Sequence, residues 1–182
     1  MAQRQAERSD HDKVSVPHEK GIHVVRSVTI DRPIEDLYNF WHDPTNMPHI
    51  FKYVESVQVT GTNRAHWIVN LPGGRTTEFD VEVYTDTPTE VISWRSLPGS
   101  ELQNAGSVRF KKAPADKGNE VHLTLEFVQP GGAIGKALLS LFGEAPQQYI
   151  GQFLREFKQV METGEKATTE GQTSGRLEEV EQ

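Results

Sequence analysis

Apolar residues change their spacing once along this 182-residue chain, and that change constrains the fold more than any other feature. From residue 22 to residue 128 they alternate with polar residues, which is typical of strands with one buried face. After Pro130-Gly131-Gly132 they recur at threes and fours as far as Gly164, which is the spacing of one helix face. The pattern predicts an α+β fold in which a sheet covers a long C-terminal helix.

Turn-forming residues divide the alternating region into successive strands. The candidate strands are residues 22–30, a segment around 57–59, 65–71, 76–85, 91–97, 105–112 and 121–128. The segments between the later strands are rich in Gly, Pro, Asn and Asp, which favour the tight turns of hairpins. We therefore predict an antiparallel, curved sheet of six to seven strands.

Two short helices are predicted after the first strand. Pro33 suits a first helical turn, and Glu35 and Asp36 suit the positive end of the helix dipole. Residues 45–51 are compatible with a second short helix despite Pro48. These segments separate the first strand from the hairpin series that follows.

The C-terminal helix is expected over residues 132–164, with an interruption near its middle. Gly143 and Pro146 fall within the helical pattern. Proline removes a backbone donor and clashes with the preceding turn, so a kink or a break is predicted there.

The polar ends of the chain set the predicted domain boundaries. Residues 1–20 and 165–182 have few apolar side chains and no periodicity, which predicts disordered tails around one domain at 21–164. The longest mostly apolar run, 133–142, contains Lys136 and is too short to span a bilayer. We expect a cytoplasmic protein without stable membrane insertion, although transient membrane contact remains open.

Composition excludes several function classes. The net charge of −7 argues against a chain-wide nucleic-acid-binding surface. The absence of cysteine excludes disulfides, thiolate metal sites and cysteine nucleophiles. No cofactor motif is found, and the oligomeric state is not predicted.

Histidines and carboxylates give no catalytic or metal-binding pattern. His42 and His49 are separated by prolines and lack a helical metal-ligand spacing, so no metal site is predicted. Glu78, Asp80 and Glu82 share one face of a strand and in principle include an acid–base pair. Their alternation with apolar residues favours the solvated face of a half-buried strand instead.

Aromatic and apolar side chains converge on one region between sheet and helix. Four strands contribute inward-facing rings by alternation, namely Trp67, Phe79, Trp94 and Phe110. The sheet-facing stripe of the C-terminal helix contributes Leu141, Phe142, Tyr149 and Phe153. Taken alone, this pattern indicates a hydrophobic core.

Three segments carry a resemblance to a known family. They are SVTIDRPIEDLYNFWHDPTNMPHIFKYVESVQV, VISWRSLPGSELQNAGSVRF and LFGEAPQQYIGQFLREFKQVMETGE. Together with the order of the predicted elements, they resemble the bacterial cyclase/dehydrase-like branch of the SRPBCC superfamily. That superfamily includes START lipid-transfer domains, aromatic polyketide cyclases and coenzyme Q-binding proteins.

The resemblance implies a helix-grip fold with a cavity between the bent sheet and the long helix. It implies that some of the converging side chains bind a small hydrophobic or aromatic molecule, such as a lipid, a quinone or a polyketide-like compound. Polar contacts to this molecule are then expected from Arg95, Ser96, Asn104 and the Tyr149 hydroxyl. A non-catalytic binding module is the leading hypothesis, and a cyclase or dehydratase acting in the same cavity is the alternative.

Overall fold

The computed structural model describes residues 21–128, 130–142 and 145–164. The predicted tails at 1–20 and 165–182 lie outside these residues. Seven strands are present: β1 (Gly21–Ile30), β2 (Val54–Gly61), β3 (Arg64–Leu71), β4 (Arg75–Thr87), β5 (Val91–Ser96), β6 (Asn104–Lys112) and β7 (Asn119–Val128). The helices are α1 (Ile34–His42), α2 (Met47–Ile50), α3 (Gly132–Phe142) and α4 (Pro146–Thr163), with a 3₁₀ turn at Pro44–Asn46.

The seven strands form one antiparallel sheet in the order β1-β7-β6-β5-β4-β3-β2. Strands β2 to β7 are joined as successive hairpins, while the first strand pairs with the last. The predicted α+β fold and antiparallel meander are confirmed. The sheet curves around the C-terminal helical region, which is the helix-grip arrangement.

The C-terminal helical region consists of two helices rather than one bent helix. Helix α3 is helical to Phe142, and α4 begins at Pro146 after Ala145, whose backbone is non-helical (φ −136°, ψ 65°). The predicted interruption is therefore a break between separate helices. Proline at the start of α4 loses no intrahelical bond there, since the first N–H groups of a helix have no partner within it.

Helix α4 packs on β1, and polar contacts fix its position along the strand. Lys158 Nζ donates to the carbonyl of Thr29 at 2.6 Å, and Glu162 Oε1 accepts from the backbone N–H of Asp31 at 2.9 Å. At the other end, Arg26 Nε donates to the carbonyl of Gln147 at 2.9 Å. Both ends of the helix are thus anchored to the same edge of the sheet.

A packed core lies where α4 covers β1 and α1 covers β6. Phe157, Leu37 and Val24 are fully buried there, and Trp41 packs edge-to-face on Phe153 and Phe157. Burial of such side chains supplies most of the folding free energy. No helix among the described residues is both long and apolar enough to cross a membrane.

Candidate functional site

A cavity of about 950 Å³ lies between the concave face of the sheet and the helices. Its wall comes mainly from β3, β4, β5 and β7, with α3 and the end of α1 closing other sides. Apolar residues on this wall include Ala65, Trp67, Val69, Phe79, Val81, Val83, Ile92, Trp94, Leu123, Leu125, Leu138 and Leu141. The curvature keeps α4 close to β1 at one edge of the sheet and leaves this space further along the same concave face.

Strand register explains why the apolar residues face the cavity together. Trp67 lies opposite Phe79 on the neighbouring strand, and Ala65 lies opposite Val81. Side chains alternate between the faces of a sheet, so each pair shares the concave face. The rings of Trp67 and Phe79 are near-parallel, with centroids 6.0 Å apart.

Trp94 lies flat over a position that only glycine can occupy. It is paired with Gly106 on the adjacent strand. A Cβ atom at Gly106 would lie 2.5 Å from Cζ2 of Trp94 and 2.7 Å from the carbonyl oxygen of Thr124. The absent side chain at Gly106 therefore lets the indole lie against the sheet, which keeps the cavity open.

Five of the predicted ligand-binding residues lie on the cavity wall: Trp67, Phe79, Trp94, Asn104 and Leu141. Phe110 and Phe153 face the same interior but lie in the packed core, each only 4% exposed. The side chain of Phe142 lies outside the described part of the structure. The face predicted for each strand ring is correct, but facing inward does not by itself place a residue on the cavity.

The predicted polar contacts lie away from the cavity wall, apart from Asn104. Ser96 Oγ accepts a hydrogen bond from the backbone N–H of Asn104 at 3.0 Å, which fixes the β5–β6 connection. Arg95 is on the opposite face of the sheet, 3.5 Å from Glu82. The ring of Tyr149 packs near that of Tyr53, and burial raises the pKa of its hydroxyl above the ordinary value.

Two tryptophans that line the cavity have indole N–H groups without a hydrogen-bond acceptor. Nε1 of Trp41 and Nε1 of Trp67 are buried without an acceptor among the described residues. An unpaired buried donor costs about 1–3 kcal/mol. Both indoles belong to cavity-lining residues, so an acceptor on a bound molecule is a physical way to recover that free energy after a small ring movement.

Three carboxylates of β4, Glu78, Asp80 and Glu82, lie on the outer face of the sheet, as predicted. Glu82 lies 3.5 Å from Arg64, and Asp80 lies 3.0 Å from Nδ1 of His66. They are part of a solvated charge network and have no access to the cavity. No group of metal-ligating side chains occurs within the described ranges.

A cluster of three polar residues lies at the mouth of the cavity. Tyr38 Oη donates to Asp86 Oδ1 at 2.7 Å, and Asp86 Oδ2 lies 2.9 Å from Nδ1 of His42. His42 and Asp86 both line the cavity. Val59 marks the same opening, since it lines the cavity and is 59% exposed although apolar residues are usually covered.

Sequence reasoning did not find this cluster. Tyr38 and His42 are one helical turn apart, which is readable from the sequence, but Asp86 lies at the far end of β4. Only tertiary structure brings the end of α1 to the end of β4. Burial and the hydrogen bond to Asp86 raise the pKa of Tyr38 to about 12, so its hydroxyl stays protonated and donates.

Solved structures share this architecture. A crystal structure from Deinococcus radiodurans is 32% identical to the chain, with a TM-score of 0.64 over 79% of this chain and 99% of that one. The Zhui aromatase/cyclase from Streptomyces sp. R1128 is 17% identical, with a TM-score of 0.57 over 81% of this chain and 99% of that one. A ginseng major latex-like protein from Panax ginseng is 9% identical, with a TM-score of 0.55 over 78% and 97%.

At their low identity, the last two structures establish the fold alone. No curated protein matches the chain. A family model does match, over residues 30–155, and its description is polyketide cyclase/dehydrase and lipid transport. That match covers most of the domain, including α1, the strands around the cavity and α3. The chain therefore belongs to the polyketide cyclase/dehydrase and lipid transport family, as its resemblance to the SRPBCC superfamily implied.

Proposed function

We propose that this protein binds a small hydrophobic or aromatic molecule, such as a lipid, a quinone or a polyketide-like compound, between the sheet and the helices. The observation that carries the proposal is the cavity of about 950 Å³ with its apolar wall. Small-molecule sites are typically clefts of about 300–1,000 Å³ lined by apolar and aromatic side chains. A domain with no ligand would be expected to fill such a space with side chains.

The polar groups on the wall indicate how a ligand would be oriented. Asn104 and the unpaired indole N–H of Trp67 are isolated polar groups on a wall that is mostly apolar, and His42 and Asp86 add polar groups at the mouth. A molecule with an apolar body and a few polar atoms matches this distribution better than a polar metabolite does.

A cyclase or dehydratase acting in the same cavity is the alternative, and the family includes such enzymes. It differs from simple binding by needing an ionisable group that reaches the ligand. Asp86 and His42 at the mouth are the observation that keeps this alternative open. The net charge of −7 and the cavity also support a small-molecule partner over nucleic acid.

Two measurements test the binding proposal. Native mass spectrometry of protein purified from its own host is expected to show an additional mass that is lost on collisional heating. In vitro, the neutral apolar dye Nile red is expected to bind with increased fluorescence. The variant Val83→Trp adds an indole to the wall and should reduce uptake of the dye.

The matched control is Val25→Trp on β1, because Val25 is 50% exposed and does not line the cavity. It should leave dye uptake unchanged. Equal uptake by both variants, together with no retained mass, would contradict binding in this cavity.

A further inference from the structure

His42 presents an ordered hydrogen-bond acceptor at the mouth of the cavity. Its Nδ1 lies 2.9 Å from Asp86 Oδ2 and 3.1 Å from the Tyr38 hydroxyl oxygen. A bare nitrogen lone pair at this distance from a carboxylate oxygen would be repelled, so Nδ1 must carry the proton. In the neutral imidazole the lone pair then lies on Nε2.

Tyr38 and Asp86 hold this tautomer and the orientation of the ring. The Tyr38 hydroxyl donates to Asp86 Oδ1, so the two carboxylate oxygens receive one donor each. The ring of Tyr38 also stacks on the imidazole, with centroids 5.3 Å apart and planes at 30°. Within the part of the chain that the structure describes, Nε2 of His42 has no hydrogen-bond partner.

We infer that the molecule bound in the cavity carries a hydroxyl group at one end, and that this hydroxyl donates a hydrogen bond to Nε2 of His42. The inference rests on the proposed ligand binding and adds the chemical class of the ligand. The apolar body occupies the space lined by Trp67 and Trp94, while the hydroxyl stays at the mouth.

The charges at the mouth favour a neutral hydroxyl over a carboxylate. Asp43 and Asp86 both line the opening and would repel an anionic end group. The cation nearby, Arg64, already lies 3.5 Å from Glu82. A fatty acid in its ionised form is therefore a poorer match than an alcohol or a phenol.

Three probes of similar size separate these classes: 2-naphthol, 2-methylnaphthalene and 2-naphthoate. Each dissociation constant is measured by displacement of Nile red at one neutral pH. For each variant, the dissociation constant of 2-methylnaphthalene is divided by that of 2-naphthol. Comparing this ratio among variants cancels the difference in hydrophobicity between the two probes. One hydrogen bond is expected to change this ratio about three- to tenfold.

His42→Phe keeps a ring against Tyr38 but removes the acceptor, so the ratio should fall by that factor relative to the wild-type ratio. Asp86→Asn should lower it as well, because an amide can donate to Nδ1 and leave the proton on Nε2. His66→Phe is the matched control. Nδ1 of His66 also lies 3.0 Å from a carboxylate, that of Asp80, but on the outer face of the sheet.

An unchanged ratio in His42→Phe would overturn the hydroxyl assignment while leaving cavity binding intact. Tighter binding of 2-naphthoate than of 2-naphthol would overturn it in favour of an acid. Failure of every probe to displace Nile red, with the dye still bound in the wild type, would exclude a short aromatic body and overturn the inference too. Failure of Nile red itself to bind would instead count against the proposed function.

Discussion

Aromatic side chains have different surroundings in two regions of the interior, the region where α4 covers β1 and the region between β3, β4 and α3. Where α4 covers β1, Phe157 is completely buried and packs against the ring of Phe40 and edge-to-face on Trp41. Between β3, β4 and α3, Phe79 and Trp67 remain only partly buried and face open space. Aromatic side chains therefore fill a core under α4, and others line a cavity under β3 and β4.

This difference teaches that stability and binding are carried by separate parts of one interior. Polar contacts from Lys158 and Glu162 tie α4 to β1, so the packed side does not depend on a ligand. The cavity side has the unpaired indole N–H of Trp67 and partly buried rings that a ligand would cover. Substitutions of the same type on the two sides should consequently give different results.

The largest effect is expected for Phe157→Ala. Phe157 is fully buried, so the substitution loses its transfer free energy and leaves a void, at a cost of about 3–5 kcal/mol. Urea denaturation followed by circular dichroism measures the change. Nile red uptake, corrected for the folded fraction, should stay the same; a change in it would show that the two sides are coupled.

Gly106→Ala is expected to cause the next largest loss of stability. The added Cβ meets the backbone oxygen of Thr124 at 2.7 Å, and this oxygen cannot move as a side chain does. Overpacking of this kind costs about 1–3 kcal/mol. The methyl group should also push Trp94 into the cavity, so thermal unfolding and dye uptake should both decrease.

Gly73→Ala serves as the comparison for Gly106→Ala, since no atom lies within 4 Å of an added Cβ there. This variant measures the cost of placing a side chain at a turn position with φ +82°, and it should have no effect on the cavity. Equal dye uptake in both glycine variants would contradict the role of Trp94 on the wall.

Phe79→Ala should be less destabilising than Phe157→Ala, although the side chains are identical. Phe79 is only partly buried on the cavity wall, so about 1–2 kcal/mol is expected. Dye affinity should change at the same time. A loss as large as that of Phe157→Ala would mean that the wall is an ordinary core.

The smallest effect is expected for Glu162→Gln, and it depends on pH. The N–H of Asp31 and then the Lys158 ammonium lower the pKa of Glu162 below its ordinary value of 4.5. A lowered pKa in the folded state stabilises the protein above the unfolded value, and this stabilisation is lost as the pH falls through the folded pKa.

Because Glu162 is partly exposed and screened, its loss should cost at most about 1 kcal/mol at neutral pH. The difference between wild type and Glu162→Gln should disappear in acid below the folded pKa. Melting temperatures measured from neutral pH to pH 3 test this. A constant difference over that range would show that the carboxylate charge is not what ties α4 to β1.

The candidate site was predictable to the extent that it depends on strand alternation. Their spacing predicts that Trp67, Phe79 and Trp94 share the concave face, and the pairing of Trp67 with Phe79 agrees with this. Phe110 and Phe153 face the same interior yet lie in the core, because side chains of α1 cover them: Phe110 packs on Tyr38 and Phe153 on Trp41.

The mouth cluster shows the opposite case. Tyr38 and His42 lie on one predicted helix, but the sequence around His42 has no metal-ligand spacing and so predicts no site there. The partner of His42 is Asp86, 44 residues further along the chain, whose Oδ2 lies 2.9 Å from Nδ1 of His42. Contacts between residues far apart in sequence have no local periodicity from which to predict them.

By itself, the sequence determined the period-two strands, the turns between them, the two short helices after β1 and the interruption before Pro146. These features depend on local backbone preferences and on which side chains avoid water. The tertiary structure alone decided that α4 lies against β1 and leaves a cavity under β3 to β5, and that Tyr38, His42 and Asp86 meet at its mouth. Sheet curvature and helix position are set by the sum of many long-range contacts, and a space between elements is not encoded in any one segment of the chain.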